Sequence, residues 1–166
     1  LYVATMAIPW QVYMLPQYSI MNMFHLVDSH IGYILMQSFT AFGVFLMRQA
    51  FISIPDELLE AARIDGLSEY GIYAKIALPL SKASITTLVI FTFVTIWNDY
   101  MGPMIYLNTE SKKTLQLGVK MFVGQYATEY GLVMAVSVLA LIPVLIIFLA
   151  GQKQFVQGVA SSGIKG

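Results

Sequence analysis

Apolar residues run along this chain in long blocks separated by short polar stretches, and the block lengths are the first structural clue. A helix crossing a bilayer needs roughly 20 mostly apolar residues. Three segments reach that length: 31–52, whose one charge, Arg48, lies near its end where it can snorkel; 83–107, whose one charge is Asp99; and 131–150, which has none. Pro143 is expected to kink the last, which membrane helices tolerate when neighbours re-satisfy the freed carbonyl. The opening stretch 1–15 reads as the tail of a fourth span, interrupted by Pro9 and closed by Pro16. Continuous apolar runs, without alternation, argue against barrel strands. The pattern predicts an all-α, polytopic transmembrane helical bundle in a single domain, 1–166. Leu1 already lies inside an apolar stretch, with no basic region or cleavage site of a signal peptide around it. The expectation is a domain that is N-terminally incomplete.

Composition agrees. The chain is 58% hydrophobic and 11% charged, where soluble domains carry about 25% charged residues. Ten Phe and ten Tyr exclude disorder, and the absence of Cys excludes disulfides, thiolate catalysis and Cys-based metal sites. A net charge of zero gives no ground for a nucleic-acid partner. Placement of the charges matters more than their number. Arg48, Arg63, Lys75, Lys82, Lys153 and Lys165 fall on one side of the spans, and Lys112, Lys113 and Lys120 on the other. An excess of Lys and Arg marks the cytoplasmic side, which puts loop 53–82 and the C-terminus in the cytoplasm.

Loop 53–82 is the longest polar stretch. Pro55 suits a helix start, and Asp56, Glu57 and Glu60 complement the helix dipole. Leu58, Leu59, Ala62 and Asp65 recur at helical spacing, and Gly66 is a left-handed stop. So short a helix is not stable alone in water and must pack on something. Ala61 and Ala62 offer a flat surface that another protein could approach closely. Two readings stand on these residues: a connector lying on the membrane, or a docking helix. A second short stretch ends at Leu78-Pro79 before the next span.

The order of fixed residues adds to this. Glu60-Ala61-Ala62, three residues, Gly66, nine residues, Ile76, one residue, Leu78-Pro79 resembles the EAA loop of ABC-importer permeases. Trp97-Asn98-Asp99-Tyr100 followed by Pro103 is similar to a signature of maltose-type, MalG-like carbohydrate-uptake permeases. Ile8-Pro9 with Pro16, Leu46-Met47-Arg48-Gln49, the region of Gln152 and Gly163-Ile164-Lys165-Gly166 also look like that family; Ser161-Ser162-Gly163 departs from it. The resemblance covers essentially the whole chain. It implies a permease subunit in a bacterial or archaeal inner membrane, forming part of the translocation pathway for a sugar or sugar-like solute. Implied partners are a second permease subunit, cytoplasmic ATP-binding subunits, an extracytoplasmic solute-binding protein and membrane lipid.

In such a system Glu60, Ala61, Ala62, Asp65, Gly66, Ile76, Leu78 and Pro79 would couple the permease to the ATPase. ATP and Mg would be used by that partner. This chain has no phosphate-binding G-x-x-x-x-G-K-[ST] loop, and no cofactor, metal or catalytic residue is expected on it. A tail ending in Lys165 and Gly166 would reach the ATPase, unless it is simply a disordered end.

Asp99 stands out because a charge inside a span is costly and usually faces a cavity or partner. It lies about 24 Å along a helix starting at Ala83. It reads either as a pathway or gate residue, with Trp97, Asn98 and Tyr100 nearby and Pro103 breaking the helix, or as an interface cap within an aromatic belt. His25, Asp28 and His30 match no metal-ligand spacing and read as a surface connection. Lys112, Lys113 and Lys120 read as a solvated loop or a contact for a binding protein. Rival classes fare worse. A membrane enzyme needs a convergent acid/base set. An ion-coupled secondary transporter needs several intramembrane carboxylates. A membrane scaffold leaves the EAA-like loop without a role.

Overall fold

A computed structural model describes residues 2–123 and 129–163. Among these the protein is all-α. Two N-terminal helices, α1 (Tyr2–Thr5) and α2 (Trp10–Met23), precede α3 (His30–Gln37) and α4 (Ala41–Ile52). The polar loop holds α5 (Asp56–Ile64), α6 (Glu69–Ile72), a π-helical turn (Tyr73–Ala77) and α7 (Leu78–Leu80). Then follow α8 (Lys82–Trp97), α9 (Met101–Tyr106), the short α10 (Leu115–Val119) and the long α11 (Tyr130–Gly163).

The predicted spans correspond to helices, but two of them are broken. Segment 31–52 is a pair, α3 and α4, bent by 47°. The Thr40 hydroxyl accepts a hydrogen bond from the Gly43 N–H at 3.0 Å and so starts a new helix at Ala41. Segment 83–107 is helical only to Trp97 and resumes at Met101. Pro16 does not close the first stretch: α2 runs through it to Met23. An interior proline costs about 3 kcal/mol in an isolated helix, but here core residues grip α2 on both sides of it. Trp10, Tyr18 and Met21 all belong to the cluster formed with Tyr33, Tyr106 and Leu107. Segment 131–150 lies within one continuous helix that also contains Pro143.

That cluster sits at the end of the bundle away from the polar loop. Tyr106 and Leu107 are nearly inaccessible, and the Tyr106 hydroxyl donates to the Met14 carbonyl at 3.3 Å. Elsewhere α8 is the central strut. Phe91 meets Phe42 of α4 and Phe155 of α11, both at 5.8 Å between ring centres. The buried Gly151 lets α11 approach Ile90 and Thr86. The most apolar stretch of α11 is not buried within the chain. Such a surface is stable only against lipid or other apolar helices.

Candidate functional site

The polar loop is built from short-range bonds. Pro55 precedes α5 in extended geometry, with Asp56 and Glu57 in the first turn. The helix ends in a Schellman motif: Leu67 N–H donates to the Ala62 carbonyl and Gly66 N–H to the Arg63 carbonyl, both at 3.0 Å. Gly66 has φ +80° with open space around it, so backbone conformation rather than crowding demands glycine there. Beyond the turn, Ser68 caps α6 by accepting from the Gly71 N–H at 3.2 Å. The Arg63 guanidinium donates to Glu69 at 2.9 Å and clamps the two helices around the turn. This bond holds the Glu69 carboxyl below its ordinary range and the Arg63 group above its own.

Ile76 lies in the π-turn, and Leu78 and Pro79 follow in α7. Proline has no N–H and its ring crowds the carbonyl four residues back. The turn widens just before it, with Leu78 N–H bonded to the Tyr73 carbonyl. Tyr73 packs edge-on against Phe51 of α4, at 6.0 Å, which ties this turn to the preceding span.

The structure corrects one reading of the docking surface. Ala62 is only 4% exposed and packs within the chain, so it cannot lie in a partner's cleft. Glu60, Ala61, Asp65 and Gly66 are exposed. The outward ridge of α5 is Leu58, Ala61 and Ile64, spaced three apart, and Tyr70 lies just beyond the turn. Ile64 and Tyr70 are 87% and 88% exposed. Sequence reasoning missed both, although an isoleucine two positions after the inward Ala62 already signals a second apolar face. Arg63 had been counted only as a charge, and Glu69 had not been singled out.

At the other end, the Trp97–Pro103 motif is dispersed. Of its residues, Asp99 lines a cavity of about 700 Å³ between α1, α2, α3 and α8. Trp97 turns to α11, donating from Nε1 to the Ala140 carbonyl at 2.9 Å and stacking on Phe93. Asn98 is exposed and bonds to the Val94 carbonyl of its own helix. Tyr100 lies under Lys120, whose Nζ is 5.2 Å from the ring centre. Pro103 is buried in α9. The expectation that Trp97 and Asn98 line the same region as Asp99 therefore fails. Consecutive residues leaving a helix project in different directions, and here each finds a different neighbour.

Asp99 itself is held by long-range partners. Its Oδ2 accepts from the Tyr33 hydroxyl at 2.6 Å and from Gln37 Nε2 at 3.4 Å, and its Oδ1 accepts from the Gly102 N–H at 3.1 Å. It thus caps α9 and faces a cavity of about 700 Å³ with Trp10, Tyr13, Gln17, Gln37 and Thr95. Tyr33 and Gln37, one helical turn apart on α3, were not singled out from sequence; the signal was a polar pair at i, i+4 inside an apolar span.

Asp28 is the second hub at this end. Its Oδ1 accepts from the backbone N–H groups of Asn108 and Thr109, each at 2.9 Å, and its Oδ2 from the Thr109 hydroxyl at 2.6 Å. Lys112 Nζ lies 3.0 Å from the same carboxylate. These donors, the Thr109 hydroxyl first, hold the Asp28 carboxyl far below its ordinary value. Asp28 adopts φ +56°, and His30 bonds to the Lys112 carbonyl at 2.9 Å. The connection is structural, as expected, but it is a staple rather than a passive surface loop. Lys112 is drawn into it, while Lys113 and Lys120 line a cavity with Tyr100 and Asn108. Lys165 and Gly166 lie outside the described residues.

Comparison with known proteins bears on both ends. The family described as binding-protein-dependent transport system inner membrane component matches residues 1–161. The chain is 36% identical over 161 residues to the arabinooligosaccharides transport system permease protein AraQ of Bacillus subtilis, covering 97% of this chain and 57% of that protein. It is 36% identical to the lactose transport system permease protein LacG of Rhizobium radiobacter, covering 95% and 58%. It is 37% identical to the sn-glycerol-3-phosphate transport system permease protein UgpE of Salmonella typhimurium, covering 95% and 57%. A crystal structure of a bacterial ABC transporter involved in the import of the acidic polysaccharide alginate superposes with a TM-score of 0.75 at 30% identity, over 85% of this chain and 55% of that one. The chain thus spans somewhat over half the length of the proteins it matches.

Proposed function

This chain belongs to the family of binding-protein-dependent transport system inner membrane components, and from that premise we propose that it serves as a permease subunit of an ABC importer for a sugar or sugar-like solute. On this reading a second permease subunit completes the pathway, cytoplasmic ATP-binding subunits hydrolyse Mg·ATP, and an extracytoplasmic binding protein delivers the solute. Loop 53–82 and the C-terminus lie in the cytoplasm, as the distribution of Lys and Arg suggests. The observation that carries the reading is α5: a short helix, stopped at Gly66 and clamped by Arg63–Glu69, with the apolar ridge Leu58, Ala61 and Ile64 left uncovered.

Such a helix acts as a lever. Its inner side presents the buried Ala62, and its outer side offers apolar contacts beside the Glu60 carboxylate. Closure of the ATPase would push α5 as a rigid piece. The π-turn and the 73° bend between 69–80 and α8 would carry that displacement into the span and rock it between inward- and outward-facing states. Lys165 and Gly166 extend the same cytoplasmic contact. Asp99, rather than the whole Trp97–Pro103 motif, faces the pathway.

The test is reconstitution of the full-length form with its ATPase and binding protein. Gly66→Pro and Glu60→Lys are each expected to lower solute-stimulated ATP hydrolysis and uptake by about tenfold or more, through a misdirected turn and a reversed charge at the docking face. Wild-type rates in both variants would overturn the coupling assignment.

A further inference from the structure

The relatives' names leave the charge of the solute open, and the residues around Asp99 bear on it directly. Resting on the permease reading above, we propose that the cavity beside Asp99 is a subsite for neutral polyhydroxylated solutes, in which the Asp99 carboxylate accepts solute hydroxyls and repels anionic ones.

Three observations carry this. First, the cavity volume of about 700 Å³ falls in the range of about 300–1,000 Å³ typical of small-molecule sites. Second, the lining combines the aromatic rings of Trp10 and Tyr13 with the amides of Gln17 and Gln37. Rings can cover the C–H face of a sugar, and amides both donate and accept toward its hydroxyls. The Trp10 Nε1 is already bonded to Gln17 Oε1 at 2.9 Å, which leaves the Gln17 NH₂ group available to donate. Third, among the described residues that line the cavity there is no Lys, Arg or His, and Asp99 is the charged one. Its hydrogen bonds come from Tyr33, Gln37 and Gly102, three neutral donors that leave lone-pair capacity on the carboxylate. A phosphate or carboxylate entering this space would meet the Asp99 carboxylate with no cation among the described lining residues to offset it.

The experiment uses the complete transporter in lipid nanodiscs without its binding protein, titrated calorimetrically with a neutral trisaccharide and with the corresponding uronic-acid trisaccharide. The wild type is expected to bind the neutral probe at least about tenfold more tightly, because like charges at close range in a low-dielectric site repel strongly. Asp99→Asn keeps the size and removes the charge, and should shrink that ratio at least about fivefold. Thr95→Lys leaves Tyr33, Gln37 and Gly102 unchanged and adds a cation to the same cavity; it should shrink the ratio too, so the result does not hang on the folding of one variant. Equal affinities in the wild type, or an unchanged ratio in both variants, would overturn the inference. So would a wild type that binds neither probe yet still takes up sugar with its binding protein, and that result would leave the permease reading standing. Failure of the complete wild-type transporter to take up any saccharide would overturn the permease reading, and the inference with it.

Discussion

The two ends of this molecule are held together in opposite ways. At the loop end the stabilising bonds are local: the Arg63–Glu69 pair spans six residues, and the Ser68 cap spans three. At the far end they join distant parts of the chain. Asp28 reaches Thr109 across 81 residues and Asp99 reaches Tyr33 across 66. Local bonds make a compact piece that can move as a unit. Long-range bonds make a frame in which the helices hold one another in register. On the proposed coupling reading, the local piece would act as the lever and the long-range one as the frame against which it moves.

The comparison breaks most readily at the frame. Gly32 is buried, and a Cβ there would run into the Leu26 backbone carbonyl. Gly32→Ala is therefore expected to destabilise the full-length protein by about 3 kcal/mol, since backbone cannot yield as a flexible side chain can. Thermal unfolding in detergent checks this, and an unchanged midpoint would mean that the frame is softer than its bonds suggest.

A smaller, local effect is expected at Asp28. Asp28→Asn should raise hydrogen exchange at the Asn108 and Thr109 amides by about tenfold, because a charged acceptor is replaced by a neutral one. The pH dependence follows from the lowered pKa of Asp28. A carboxyl depressed in the folded state contributes fully above its ordinary value of 3.8 and loses that contribution as pH falls toward its folded value. The gap between wild type and variant should thus be constant from about pH 7 to pH 5 and narrow below about pH 4. Narrowing already at pH 6 would show that the staple does not hold Asp28 ionised.

The smallest effect on stability belongs to the lever. Gly66→Ala keeps the open space but forces a Cβ into left-handed backbone, which costs about 1 kcal/mol. Its melting shift should be well below that of Gly32→Ala, while its effect on coupled ATP hydrolysis should exceed its effect on stability. A melting shift as large as that of Gly32→Ala would mean that the loop is part of the frame.

How far each end could be read in advance follows the same division. The α5 helix, its start at Pro55 and its stop at Gly66 were legible because caps, dipole charges and a left-handed glycine act within one or two turns. The outward Ile64 and Tyr70 were not, because exposure depends on which neighbours cover a face. The break at 38–40 escaped notice because apolar length alone cannot distinguish one span from two bent helices; the second break was expected at Pro103, but it falls at 98–100 and Pro103 lies inside α9. Pro16 was misread for a related reason: its local cost is real, and only the packing of Trp10, Tyr18 and Met21 around it decides that the helix continues.

By itself the sequence determined the class of environment, the number and rough place of the long apolar segments and the loop that carries most of the acidic residues, and its motifs carried the resemblance to the family. All but the resemblance follow from composition and short-range chemistry, which are properties of neighbouring residues. Only the tertiary structure decided that Trp97 braces α11 while Asp99 faces a cavity, that Ala62 is internal while Ile64 is offered outward, and that Asp28 staples two distant loops. Those assignments depend on which helix face meets which neighbour, and a linear pattern does not contain that until the chain has folded.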